Sequence, residues 1–576
     1  MREPDHESGA ARSGAAELTG DELDGLEPDQ LKHRLLAASE VLVRLAASKD
    51  LLDVLEPEER QTLLNAAGDV FCRDPDERRM RMKARRRKRR ADKLERDTAA
   101  LAQTGIRTLR DKPVFTTPNV FAPEGFGPDG LPLELGDGAA GEAAKTDESQ
   151  HCYVCKHHYT QVHHFYDQLC PGCAEFNYAK RGELADLTGT VALLTGGRVK
   201  IGYQAGIKLL RCGAELIVAT RFPRDAAKRY AAEDDFDQWG DRLEIFGLDM
   251  RHTPSVEAFC THILSTRERL DVIINNACQT VRRPPDFYRH MMEGESAHLA
   301  ELPSAVARLV GAYEGLRGAH MLPGDVAPQA AALPSDALPS DALPSEDPSL
   351  GTSSSEVPAS RSAPDPDVGG LEVPGLTRSA ELSQQQLLPE EAEVRSDLFP
   401  EGVLDQDLQQ IDLRDRNSWR LLMHEVSSVE LLETQLVNAV APFVINARLK
   451  PLMERTDSDA KHIVNVSAVE GQFYRRYKTT RHPHTNMAKA ALNMMTRTSA
   501  ADYQAAGIHM NSVDTGWVTD EDPAAVAEAK TAEHGFHPPL DIVDGAARIV
   551  DPIIAGVNSG EHQWGHFLKD YVPTDW

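Results

Sequence analysis

The sequence predicts an α/β fold built on a doubly wound parallel sheet, preceded by a small metal module and a helical N-terminal segment. Three observations predict it. The stretch VALLTGGRVKIGYQAGIKLL, residues 191–210, reads as a strand of β-formers, a glycine-bearing turn and a helix N-terminus. That is the place where a phosphate meets backbone N–H groups and a positive dipole end. Short apolar runs then recur in order: AELIVATR at 214–221, LDVIINNAC at 270–278, HIVNVSAVEG at 462–471 and MNSVDTGWVT at 510–519. Finally, removing a long insertion at 284–404 from 183–560 leaves a length ordinary for one α/β domain.

The elements before the sheet follow from composition and spacing. Residues 1–20 are small, polar and acidic and read as disordered. Residues 21–110 read as helical: Leu31, Leu35, Leu42 and Leu45, then Leu51, Leu52, Leu55, Leu63, Leu64 and Ala67, repeat at helical spacing and suggest a small hairpin. RRMRMKARRRKRR at 78–90 follows. It is read as a localisation signal, as a nucleic-acid stripe, or as a solvated helix with acidic flanks; no aromatic residue is interleaved for base stacking. Residues 111–150 read as a linker rich in Pro, Gly and acid.

The metal module is placed at 151–182. CYVC and CPGC supply Cys152, Cys155, Cys170 and Cys173, a spacing suited to a closed four-thiolate zinc site without an open position. A redox-active pair is the alternative, and His157, His158, His163 and His164 lie between the pairs. The module is expected to brace the edge of the α/β domain or to dock a protein partner. The first part of that domain is assigned to 183–283 and the second to 405–576, with a tail. The insertion carries ALPSDALPSDALPSE at 332–346 and is expected to be disordered over roughly 322–400.

With a net charge of −27, general nucleic-acid affinity is not expected outside the basic run. No apolar run approaches a membrane span, and the N-terminus shows no secretory signal. The expected location is cytoplasmic, or nuclear if the basic run is a localisation signal. A homo-oligomer is compatible with the sequence, and no substrate can be named from it.

These segments resemble the short-chain dehydrogenase/reductase superfamily over nearly all of the α/β domain. The glycine motif appears as Thr195, Gly196, Lys200, Ile201 and Gly202, with Lys200 at the family's middle glycine. Lys200 would either pair with a pyrophosphate or crowd it. By the resemblance, Arg221 after the second strand favours NADP over NAD, and Asp249 takes the adenine-contacting position. Asn275, Asn276 and Ala277 match the family's NNAG, with Cys278 for its glycine, read as a reactive thiol or a small buried filler. Gly516 and Thr519 match the last motif and would line the carboxamide side of a nicotinamide, with Thr515 in place of proline.

The resemblance also implies the catalytic positions. Asn438, in QLVNAVAPF, aligns with an asparagine that holds a water, and Lys489 with the lysine that binds the ribose. The family's substrate-holding serine is Ala468 here, with Ser467 its neighbour. The proton-donating tyrosine, four residues before Lys489, is Thr485. An aliphatic hydroxyl is far less acidic than a phenol of pKa near 10. Tyr474, Tyr477, His482 and His484 are substitute candidates from the loop after HIVNVSAVEG. Two functions follow: an NADP-dependent oxidoreductase of divergent active site, or a cofactor-binding scaffold acting through its zinc module and N-terminal helices.

Overall fold

The computed structural model describes residues 27–71, 75–118, 144–319, 379–393, 395–475, 478–535 and 537–576. It divides into two units, Met1–Glu95 and Arg96–Trp576. In the first, Pro28–Ala47 and Pro57–Phe71 are helices joined by a 3-10 turn, Lys49–Val54. Of the leucine pattern, Leu31, Leu45, Leu52, Leu55, Leu63 and Ala67 are half-buried and Leu35 and Leu42 exposed, and no residue of Pro28–Ala47 is fully buried. The basic run lies on the helix Pro75–Ala102, and its described side chains are solvated.

The second unit opens with the helix Gly105–Arg110 and a hairpin of β1 (Lys145–His151) and β2 (His158–Gln161). The linker expected through 150 therefore ends earlier, because β1 pairs with β2 to frame the first cysteine knuckle. The helix Pro171–Gly182 follows the second knuckle. The sheet then takes β3 (Val191–Thr195), β4 (Glu215–Thr220), β5 (Leu243–Gly247), β6 (Val272–Asn275), β7 (Lys461–Ser467), β8 (Ile508–Asp514), β9 (Phe567–Lys569) and β10 (Val572–Thr574). Its order is β10-β9-β8-β7-β6-β3-β4-β5, parallel throughout except for the β9–β10 hairpin.

The parallel strands are buried along both faces, which is why they read as near-continuous Val, Ile and Leu. One face packs on the helices Lys200–Arg211 and Ile542–Ser559, the other on Thr253–Thr266 and Ala441–Met453. Strand order reverses between β3 and β6, and the cleft opens at the carboxyl ends of those strands, as a doubly wound sheet requires. Among the described residues one helical run, Ser428–Met453, has the length and apolarity of a membrane span. Its Ile445, Leu449, Leu452 and Met453 are buried in the domain core.

The insertion is structured at both ends, and 379–393 and 395–400 fall within the span expected to be disordered. Pro285–Ser296, Ser304–Leu309 and Gly311–Ala319 are helices, and 379–393 and 395–404 are folded against them. The reason is an apolar cluster in which Phe222 meets Phe287, Tyr288, Met291, Ala380 and Phe399. The ALPSD repeats lie outside the described residues, as do residues 1–20.

Candidate functional site

The glycine turn is built so tightly that only backbone fits. Gly196 has φ +71, and a Cβ there would lie 2.8 Å from Ala277 Cα. A Cβ on Gly202 would lie 2.2 Å from Asn276 Nδ2. Asn276 closes the turn by donating to Thr195 O (3.2 Å) and Gly196 O (3.0 Å). The Thr195 hydroxyl accepts from Asn276 N and Ala277 N, both at 3.0 Å. Thr195 is thus a brace between β3 and β6. Asn275 is buried, donating to Asn446 Oδ1 (2.8 Å) and Asn465 Oδ1 (2.9 Å), so it too holds the sheet and does not face the cleft.

The turn borders a cavity of 310 Å³ at the ends of β3, β4 and β6. Arg198, Arg221, Arg251 and Arg283 all line it. Arg221 follows β4, donates to Tyr288 Oη (2.8 Å) and lies 4.8 Å from that ring's centroid. Burial opposes ionisation of Tyr288, but the guanidinium groups of Arg221, Arg283 and Arg198 hold its phenol below its ordinary range. Asp249 is buried and grips Arg251, with Nη2–Oδ2 at 2.6 Å. Despite burial, that pair keeps its carboxyl below the usual range. Its side chain is therefore already committed to Arg251, and an adenine would have to meet other groups.

Lys200 stands at φ +55, the left-handed region that glycine adopts freely. It neither collapses the turn nor leaves the cavity. Against the cost of burial, Glu521, Asp407 and Asp405 hold its ammonium above its ordinary range. Asp405 and Gln409 line the same cavity, and Arg198 Nη2 donates to Gln409 Oε1 at 3.2 Å. A strap from the far end of the insertion thus lies beside the glycine turn. The sequence carries no local signal for this, because strap and turn are about two hundred positions apart in the chain.

A second cavity, of 460 Å³, meets the first at Ile201, Asn276, Cys278 and Thr280. Lys489, Ala468, Asp514, Gly516 and Thr519 line it. Lys489 is buried and donates to Val466 O at 2.7 Å. Thr485 is buried beside it, does not line the cavity, and its hydroxyl is without a hydrogen-bond partner. Asn438 sits in a π-turn, Leu436–Val440, that interrupts the helical run. Its side chain is spent on the Gln279 backbone, accepting from N at 2.7 Å and donating to O at 3.2 Å. It anchors the loop after β6 and lines neither cavity.

Of the three described substitute candidates, His482 alone lines the cavity. It is stacked on Trp419, with centroids 3.9 Å apart, and burial lowers its pKa. Tyr474 is 93% exposed, His484 is buried against Glu430 at 3.4 Å, and Tyr477 lies outside the described residues. Cys278 is exposed where the cavities meet, so it is not a buried filler. Arg198, Arg251 and Arg283 of the first cavity and Asp514 and Tyr153 of the second were missed in the sequence. Asp514 is buried at the end of β8, opposite Ser467, accepts from Val469 N at 3.1 Å and has Lys569 at 3.4 Å. Burial raises its pKa. Tyr153, from the first cysteine knuckle, also lines this cavity.

The four cysteine sulfurs all lie within 4.8 Å of one another, and Cys155 and Cys170 are 3.6 Å apart. A tetrahedral zinc with Zn–S near 2.3 Å has S–S edges of about 3.8 Å, so the set fits such an ion. His163, the most buried histidine between the pairs, accepts from Phe165 N at 3.1 Å through Nδ1 and takes no part in the cluster.

Fold and cleft together define a doubly wound α/β domain with a glycine turn at the reversal of its strand order. The comparisons agree. Residues 190–293 match the family model described as short chain dehydrogenase, and 418–538 that of enoyl-(acyl carrier protein) reductase. The domain belongs to the short-chain dehydrogenase/reductase superfamily. An uncharacterised protein of Acanthamoeba polyphaga mimivirus is 25% identical over 430 residues, covering 73% of this chain and 74% of that one. Human dehydrogenase/reductase SDR family member 13 is 36% identical over 97 residues, 17% of this chain and 25% of that protein. This chain thus spans about a quarter of that relative. A putative short-chain dehydrogenase/reductase from Burkholderia multivorans, solved with bound NADP, has 13% identity and a TM-score of 0.35, covering 67% of this chain and 99% of that one.

Proposed function

We propose that this protein is an NADP-dependent oxidoreductase whose active site has diverged from that of its superfamily. The observation that carries the reading is the arginine-lined end of the first cavity. Arg221 stands just past β4, where a 2′-phosphate would lie, Arg198 of the turn after β3 lines the same cavity, and Asp249, which could repel that phosphate, is neutralised by Arg251. The glycine turn offers close backbone approach and the helix N-terminus at Lys200 offers a positive end to the pyrophosphate. Lys489 would hold the nicotinamide ribose, and Gly516 and Thr519 would border its carboxamide. The bound cofactor would supply a hydride.

What the chain's own residues supply for the proton is unlike the family pattern. Ala468 cannot hold a substrate oxygen, and Thr485 packs away from the cavity. His482 and Asp514 are the titratable groups of the wall best placed to take part in proton transfer. A non-catalytic, cofactor-binding role is the second reading, and the specific observation favouring it is the committed side chain of Asn438, both of whose polar atoms are used on Gln279. Titration of the purified protein with NADPH and NADH, followed by a scan for turnover with carbonyl substrates, separates the two. NADPH should bind more tightly than NADH. A preference for NADH, or no binding of either, overturns the cofactor assignment; tight NADPH binding with no turnover favours the second reading.

A further inference from the structure

We propose that the four-cysteine module is a wall of the cofactor cleft and not only an external brace, with Tyr153 as the positioning residue that couples metal occupancy to the turn Thr515–Thr519. The inference rests on the reading of this cleft as a nicotinamide site.

Tyr153 follows Cys152 and precedes Cys155 by two residues, so its backbone is fixed by the same knuckle that presents two of the four sulfurs. Its backbone N–H donates to Gln168 O at 2.9 Å, tying one knuckle to the approach of the other. The side chain leaves the module and enters the second cavity, where Lys489, Ala468 and Gly516 form other walls. There its hydroxyl accepts the Trp517 N–H at 3.0 Å. The next residue back, Gly516, has φ +75, and a Cβ on it would lie 3.5 Å from that hydroxyl. A turn in this conformation is held from outside, and the phenol is one of the groups that hold it. The Lys569 ammonium lies 5.4 Å from the centroid of the Tyr153 ring and 3.4 Å from Asp514, so the ring is fixed between the module and the end of β8.

The rest of the module's attachment is separate from this contact. The Tyr166 hydroxyl donates to Asp544, Arg181 pairs with Asp541 at 2.6 Å, and Arg548 donates to Asn177 at 2.7 Å, all on the helix Ile542–Ser559 or its cap. Val518, Leu540 and Ile542 pack with Cys152, Tyr166 and Leu169 in one apolar cluster. The module therefore grips both ends of the segment that runs from β8 to that helix. Losing the metal would loosen the knuckle and with it the turn that borders the nicotinamide.

The test uses the full-length protein with its metal, and compares Tyr153→Phe, Tyr166→Phe and the chelator-stripped parent. Amide hydrogen exchange over 515–522 is one readout and NADPH affinity the other. Losing one hydrogen bond predicts about two- to tenfold faster exchange at this turn and a similar loss of NADPH affinity in Tyr153→Phe. The stripped parent should show at least as much. Tyr166→Phe should melt earlier while the turn exchanges as in the parent. Unchanged exchange at 515–522 in both Tyr153→Phe and the stripped parent overturns the inference. If the parent binds no NADPH, the cofactor reading fails, and the exchange data still decide whether Tyr153 positions the turn.

Discussion

Arg221 shows how one side chain can be read from sequence in role and yet not in setting. Its place after the second strand is visible, but the Tyr288 and Phe222 rings that hold it are not, because Tyr288 comes from the insertion. A guanidinium kept in place by stacking loses little freedom when it meets a phosphate. Arg221→Ala should therefore weaken NADPH binding by roughly 1–3 kcal/mol, the scale of a charge-assisted bond, and leave NADH nearly unchanged. Parallel titrations of the variant with both nucleotides check this, and an equal loss for both would refute it. The catalytic positions behave likewise. Lys489 was legible because the AKAALNMMTR helix fixes its register. Asp514 and Tyr153 were not, since a buried carboxylate at a strand end and a tyrosine inside a knuckle carry no local mark of the cavity they reach. Because Thr485 is buried and packs away from the cavity, Ala468→Ser with Thr485→Tyr should leave NADPH-dependent reduction of generic aldehydes short of the roughly 10²-fold gain that a positioned phenol would bring. Steady-state rates of parent and variant decide it; a parent already fast would show that another group supplies the proton.

At the scale of elements, the strands and the helix after the glycine turn were legible because burial on both faces writes a continuous apolar run. The helices of the insertion were not, since their periodicity is brief and Pro and Ser dominate the sequence around them. One of these, Pro285–Ser296, does more than fill space. Its Glu295 accepts from Asp225 N at 2.8 Å and Arg224 N at 3.3 Å, capping the helix Pro223–Ala231 that follows β4. Burial pushes the Glu295 carboxyl up to about 7, against an ordinary value near 4.5. A folded-state pKa above the unfolded one means that the folded chain holds the extra proton between those values. The associated stability is complete below about pH 4.5 and lost as pH rises through about 7, by roughly 3 kcal/mol for such a shift. Glu295→Gln should flatten that part of the profile, as measured by denaturant unfolding across pH 4.5–8. A profile with the parent's slope would show that Glu295 is ionised in the fold throughout.

At the scale of the whole molecule, every described residue that lines the two cavities lies in the second unit. The described residues of the first unit, whose leading helix has no buried residue, supply none of them. Removing Met1–Glu95 should leave the melting temperature of the remainder and its NADPH affinity unchanged; calorimetry and titration of the truncated chain test this. The overall class was legible because the short apolar segments kept their order. The boundaries were less so, since the insertion folds back on β4 through side chains that look ordinary in sequence.

The sheet itself is interrupted in the chain: β6 ends at Asn275 and its neighbour β7 begins at Lys461, with register Val272↔His462. On a ribosome adding 5–20 residues each second, about ten to forty seconds separate the two strands. Throughout that interval β3 to β5 can already be paired while one side of β6 shows its backbone N–H and C=O groups to solvent or any nearby nascent chain. An open strand edge of that kind invites wrong pairing. The helices Pro285–Ser296 and Gly311–Ala319 emerge within this window. The order of synthesis thus leaves the growing chain with a self-made waiting period, and its safe passage depends on what covers that edge before Lys461 arrives.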